Sequence, residues 1–141
     1  MKTKLRSILK GGKLNFILAL FFVSIMMPTS IFSQTTIEIQ VSPNILNLQN
    51  NGVVVTIHTD IPFSNVDAQS VTLCGVVIQS WKADNGGYFV AKFNMDDVKE
   101  IEELQIGEFN TLTLNGTQVS GDEFTGSEEV LVINNVPRGK N

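Results

Sequence analysis

The residues equipped for chemistry in this chain are few: one cysteine, Cys74, one histidine, His58, and a run of acids from Asp96 to Glu108. Nucleophilic catalysis needs a thiol or hydroxyl beside a base that a third group orients. Cys74 sits beside Gly75 between two apolar runs, with nothing adjacent to activate it, and reads as a small, partly buried hydrophobe. A single cysteine also excludes an intramolecular disulfide and a thiolate metal cage. His58 falls on the opposite parity from Val53, Val55 and Ile57, so it is expected to face solvent, and the sequence places no partners for a triad or metal site around it. The carboxylates of Asp96, Asp97, Glu100, Glu102, Glu103 and Glu108 are hard oxygen donors, the type a weak divalent cation site such as one for Ca²⁺ requires. Adjacent acids on one solvated helix do not flank a cleft as glycoside hydrolysis demands, and their expected role is a charged, soluble surface. No nucleophile-elbow, zinc-helix or phosphate-loop pattern is present. The chain is therefore expected not to be an enzyme, to hold no cofactor, and to have no catalytic or metal-ligating residue.

What remains is the chemistry of contact, and it centres on Val71–Phe93, which holds the chain's single Trp and single Tyr. Cys74-Gly75 and Asp84-Asn85-Gly86-Gly87 both read as hairpin turns, since glycine supplies the positive φ that tight turns need. The first turn sets Leu73 opposite Val76 and Val71 opposite Ile78. A two- or four-residue loop at the second sets Ala83 opposite Tyr88, and thereby Ile78 opposite Phe93, Ser80 opposite Ala91 and Lys82 opposite Phe89. One face then carries Val71, Leu73, Val76, Ile78, Phe89, Ala91 and Phe93, a core face. The other carries Val77, Gln79, Trp81, Tyr88, Val90 and Lys92, the candidate contact face, with Trp81 expected to be at least partly solvent accessible.

The flanking segments supply more strands. Ile37, Ile39 and Val41 alternate with polar residues until Ser42-Pro43-Asn44 interrupts them, and Ile45, Leu46 and Leu48 resume the pattern. Val53–Thr59 is a β-branched strand, and Asp60–Ala68, with Pro62, reads as a loop. Asn94 is placed as the N-cap of one or two helical turns that end near Leu104, with Val98 and Ile101 on one side. Leu112 and Leu114 mark another strand, Asn115–Gly126 a turn-rich link, and Glu128–Asn134 a final strand with both faces apolar. Asn115-Gly116-Thr117 matches a glycosylation acceptor but is expected to be a turn.

At the N-terminus, Met1–Ser33 has a basic start, an apolar run from Leu14 to Met27, and small residues that offer cleavage sites. This is the pattern of a secretory signal peptide, with Gln34 the preferred new N-terminus, Ser30 the other cleavage point, and a retained anchor the alternative. The formal charge of the 141 residues is −4, yet five of the ten basic residues lie in that leader, which leaves five against fourteen acids and a net charge of −9 over residues 34–141. A surface this negative repels phosphate backbones and anionic headgroups, so no nucleic-acid partner and no membrane association after leader removal are expected.

Seven or eight short strands and one helical connection predict an all-β, two-layer antiparallel sandwich over residues 34–141. The VSPNILNL opening, the TLCGVVIQSWKADNGGYFVAKF hairpins and the FTGSEEVLVIN closing strand resemble the immunoglobulin-like β-sandwich modules of secreted bacterial proteins, over roughly Thr36–Val136. Modules of this type act as spacers, adhesive surfaces or appendages to enzymes; together with the leader and the missing catalytic motifs, the expectation is a non-catalytic, structural or adhesive module, exported to the periplasm, cell surface or medium, with a protein or carbohydrate partner there. The alternative is an exported binding regulator, such as an enzyme inhibitor or accessory subunit, acting through an edge strand or the Trp81 face. Cys74 departs from the pattern, where a residue such as Asn would be natural, and the paired cysteines of antibody domains are absent.

Overall fold

The computed structural model describes residues 31–136; the expected leader lies outside them as far as residue 30, as does the chain beyond Val136. The strands are β1 (Gln34–Thr36), β2 (Ile39–Ser42), β3 (Ile45–Asn47), β4 (Val54–Pro62), β5 (Val66–Leu73), β6 (Val76–Val77), β7 (Ser80–Ala83), β8 (Tyr88–Asn94), β9 (Phe109–Gln118) and β10 (Glu123–Ile133). A 3-10 turn (Phe63–Asn65) precedes β5, and one short helix, α1 (Met95–Lys99), follows β8. The described chain is all-β in two sheets, as the alternation predicts. Sheet A runs β1-β10-β9-β5-β6, with β3 also on β10, and sheet B runs β2-β4-β8-β7. Every pairing is antiparallel except those of β1 and β3 with β10.

Period-two alternation explains the layering. Val55, Ile57, Phe89, Ala91 and Phe93 of sheet B meet Val71, Leu73, Leu112, Leu114, Phe124, Val130 and Val132 of sheet A in one buried cluster. Val130 and Val132 take the inward side of β10, whose both faces are apolar; Leu131 and Ile133 take the outward one. The one buried polar side chain of this core, Thr59, donates its hydroxyl to the Phe89 carbonyl at 2.6 Å, so its burial leaves no orphan group. β4 runs on through Asp60–Pro62, which reads as loop in sequence, because Ile61 keeps the inward parity of Ile57 and is 5% exposed. Asn94 caps α1 as expected, its side chain accepting from the Asp96 amide at 2.8 Å, and Met95 and Val98 join the core. The helix has five residues, within the one or two turns expected, but ends at Lys99 rather than near Leu104.

The Cys74-Gly75 hairpin forms in the expected register, Leu73 opposite Val76, with Ile78 donating to the Val71 carbonyl at 3.3 Å. Cys74 accordingly holds φ at 47° and Gly75 at 84°, the pair of positive values that a two-residue turn of this hand requires. A side chain with a Cβ is disfavoured in that region, and asparagine less so. Cys74→Asn should therefore raise the denaturant midpoint, by about 0.5–1 kcal/mol of stability; a lower midpoint would show that the Thr113 amide's bond to Cys74 Sγ, at 3.3 Å, outweighs the turn conformation.

The second hairpin differs from expectation. Its loop is three residues, Asn85-Gly86-Gly87, with Gly87 at φ 82° and the Asp84 carboxylate accepting from the amides of Gly86 (2.8 Å) and Tyr88 (2.9 Å). An odd loop shifts the register by one, so Ala83 opposes Phe89, Lys82 opposes Val90, Trp81 opposes Ala91 and Ser80 opposes Lys92. The ribbon is also broken after β6, since β6 belongs to sheet A and β7 to sheet B. A further correction concerns Asn115-Gly116-Thr117, which lies inside β9 rather than at a turn; the link between the last strands shrinks to Val119–Asp122.

Candidate binding cleft

The six residues of the predicted contact face do not share a face. Val77, opposite Thr72 on β6, is 70% exposed on the outer side of sheet A. Gln79 lies in the link between the sheets, its amide donating to the Lys92 carbonyl at 2.9 Å. Tyr88, Val90 and Lys92 alternate with the inward Phe89, Ala91 and Phe93, so they point out of sheet B. Val90 is nonetheless 0% exposed, flanked in register by His58 and Lys82, and has no surface to offer a partner. Trp81 is the residue whose position changes most. Cross-strand partners share a side of the sheet, and its partner Ala91 is core, so the indole points toward sheet A.

That orientation does not bury it. β7 is the edge strand of sheet B and all four of its residues are exposed, so Trp81 reaches into the open side of the sandwich and stays 40% accessible. It forms one wall of a cleft of about 520 Å³ whose other walls come from β5 (Val66, Asp67, Ala68 and Gln69), the last residue of β9 (Gln118) and the following Val119.

The β5 wall is shaped by a bulge. Asp67 pairs with Thr117 and Thr72 with Asn115, so four residues of β5 lie between pairs that only one residue separates on β9. Ser70 repairs the ladder: its hydroxyl accepts from the Thr117 amide at 2.8 Å and donates to the Asp67 carbonyl at 2.6 Å. The displaced Ala68 and Gln69 turn to the cleft. Below it, the Val119 amide donates to the Asn65 carbonyl at 2.8 Å, which ties the end of β9 to the 3-10 turn. A second hollow of about 330 Å³ is lined by Ser64, Asn65, Gln118, Val119 and Ser120, and shares Gln118 and Val119 with the first.

Sequence reasoning finds Trp81 but misses the rest of the cleft. Its β5 wall falls partly in a segment that reads as loop, and the sole hint is the polar interruption Asp67-Ala68-Gln69-Ser70 ahead of an apolar run. Of the other chemistry-bearing residues, Cys74 lines an open hollow of about 560 Å³ with Glu102 and Glu103, and His58 lines one of about 530 Å³ with Glu128. Among the described residues no three or more His, Cys, Asp or Glu side chains are placed to hold a metal ion, and Asp96 faces Lys99 instead, 3.7 Å away. His58 is exposed, as is Cys74. No described helix is long and apolar enough to cross a membrane. No family model, no curated protein and no solved structure matches the chain.

Proposed function

We propose that the chain is an exported, non-catalytic module of immunoglobulin-like topology that works by binding, at the cell surface or beyond, through the cleft that Trp81 walls. The strand orders β2-β4-β8-β7 and β3-β10-β9-β5-β6, the latter with β1 as a sixth strand on β10, support the topology, since sandwiches of this type set a four-strand layer against an extended five-strand one. The basic and apolar composition of Met1–Ser33 supports export. The observation that carries the binding role is Trp81 itself, a large ring left 40% exposed beside an open hollow on an edge strand. Mass spectrometry of the protein recovered from its native host should show a chain that begins near Gln34, and fractionation should place it outside the cytoplasm. A retained leader or a cytoplasmic protein would sink the export reading.

A second reading, an exported regulator that pairs its edge strand with a partner, is favoured by β7. Lys82 and Ser80 face β8 through their backbone groups, whereas Trp81 and Ala83 occupy the alternate positions whose amides and carbonyls point outward at the sheet edge.

Trp81 is the only indole in the chain, so its fluorescence reports on the cleft alone. The expected emission lies between that of buried and of free indole, with partial quenching by iodide. Trp81→Ala should cost about 1–2 kcal/mol, since part of the ring is already in water. A fully quencher-resistant Trp81, or a loss equal to that of a core phenylalanine, would close the cleft as a site.

A further inference from the structure

Resting on the binding role proposed above, we infer that the Trp81 cleft takes an uncharged oligosaccharide, with one sugar ring stacked on the indole and the next reaching the hollow beside Asn65. Three observations carry this. The first is the kind of surface Trp81 offers: a flat apolar ring with one N–H donor, matched to a pyranose whose C–H face is apolar and whose rim is hydroxylated. The second is the polar complement of the walls. Gln69, Gln118 and Asn65 line the hollows, and a carboxamide donates and accepts as sugar hydroxyls do, the Gln118 nitrogen also reaching Thr35 Oγ1 at 3.4 Å. Asp67 adds an acceptor. No Lys, Arg or His lines either hollow. The lysines of the described residues lie elsewhere: Lys82 and Lys92 on the outer side of sheet B, Lys99 on α1. An anionic ligand would meet Asp67 with nothing to neutralise it, so phosphorylated, sulfated and uronic chains are disfavoured.

The third observation is shape. The two hollows share Gln118 and Val119 in their linings, so a ligand of more than one ring seated on Trp81 lies next to the second hollow as well. The lining is pre-organised by the Ser70 hydroxyl, which accepts from Thr117 of β9 and donates to the Asp67 carbonyl of β5, and by the bond from Val119 to Asn65, which reduces what a ligand must order on binding. A peptide added to the β7 edge would be held by backbone groups of Trp81 and Ala83 and would make no use of Gln69 or Gln118.

The test uses the protein produced in its native host and follows Trp81 emission during titration with cellotetraose, xylotetraose, mannotetraose, laminaritetraose, maltotetraose and tetra-N-acetylchitotetraose. Tetragalacturonate and an extended Val-Thr hexapeptide serve as the charged and peptidic comparisons. At least one neutral tetraose should saturate with a Kd of about 10 μM to 1 mM, and tetragalacturonate should bind at least about tenfold more weakly. Trp81→Ala should abolish the binding seen by calorimetry, Gln118→Ala and Gln69→Ala should weaken it about five- to tenfold, and Trp81→Phe should keep part of it. Lys92→Ala, on the opposite side of sheet B, should leave it unchanged, and unaltered denaturant midpoints for the glutamine variants would show that the fold is intact. Saturation by the hexapeptide alone would overturn the sugar ligand and leave the binding role standing. No saturation by any probe would overturn the sugar ligand, whereas the binding role would fall separately if Trp81 proved inaccessible to iodide. Equal affinity for tetragalacturonate, or binding that survives Trp81→Ala, would also overturn the inference.

Discussion

Phe93→Ala and Phe89→Ala should each cost about 3–5 kcal/mol, because both rings are fully buried and truncation adds a cavity to the lost transfer free energy. Phe93 opposes Val55 across sheet B, and Phe89 stacks on Phe63 with ring centroids 6.0 Å apart. Domains of this size have a total stability of about 5–15 kcal/mol, so either change removes a large share of it, and Tm should fall by about 15–30 °C. Lys92→Ala, between the two phenylalanines on the outward parity, should change stability by less than about 0.5 kcal/mol. Urea midpoints measured on the three variants check the orientation of β8. A large loss at Lys92 with small losses at the phenylalanines would mean that the strand is turned over.

The second large effect is expected from adding a methyl group rather than removing a ring. Gly126 lies on the inward side of β10, where the chain passing from β1 to β2 crosses it. A Cβ there would stand 2.6 Å from Ile39 Cγ2 and 2.8 Å from the Ile37 carbonyl oxygen. That carbonyl's own peptide unit is held at its other end, since the Glu38 amide donates to Asp60 Oδ1 at 2.9 Å. Gly126→Ala should therefore cost about 2–3 kcal/mol through backbone displacement. Gly116→Ala should do similar damage, because its Cβ would lie 2.4 Å from Cζ of Phe124, a ring with no free space to retreat into. Glu129→Ala, exposed on the outer side of the same strand, should stay within about 0.5 kcal/mol. If chemical denaturation placed Gly126→Ala beside Glu129→Ala, the crossing of Ile37–Ile39 over β10 would be wrong.

Which parts of this architecture were legible follows from the range of the forces involved. Alternation within a strand is local, so the inward sets on β5, β8 and β9 could be read directly, and Val71, Leu73, Val76, Ile78, Phe89, Ala91 and Phe93 all lie in or against the core. The cap at Asn94 is local too. Register across a turn is less so: the tetrad Asp84–Gly87 admits loops of two, three or four residues, and the Asp84 carboxylate selects three by holding two loop amides. The switch of sheets after β6 has no local mark, since an extra residue between Ile78 and Trp81 puts both on inward sides of different layers. Trp81 could thus be recognised as a contact residue while the walls that make it a cleft could not. They come from a bulge whose compensation, the Ser70 hydroxyl in place of a backbone partner, depends on a strand far along the chain.

The parallel pairing of β1 and β3 with β10 has a consequence for timing. Gln34 waits for Glu123, and Ile45 waits for Leu131, so the first residues of the domain find their partners only among its last. Closing loops of that length is slow, and few of the rewards arrive before the whole chain is present. A nascent or partly translocated chain that has not yet released β10 cannot complete sheet A. In a chain exported as proposed above, this ordering would leave sheet A incomplete until β10 has crossed, so that the strand which seals the layer would also time its completion.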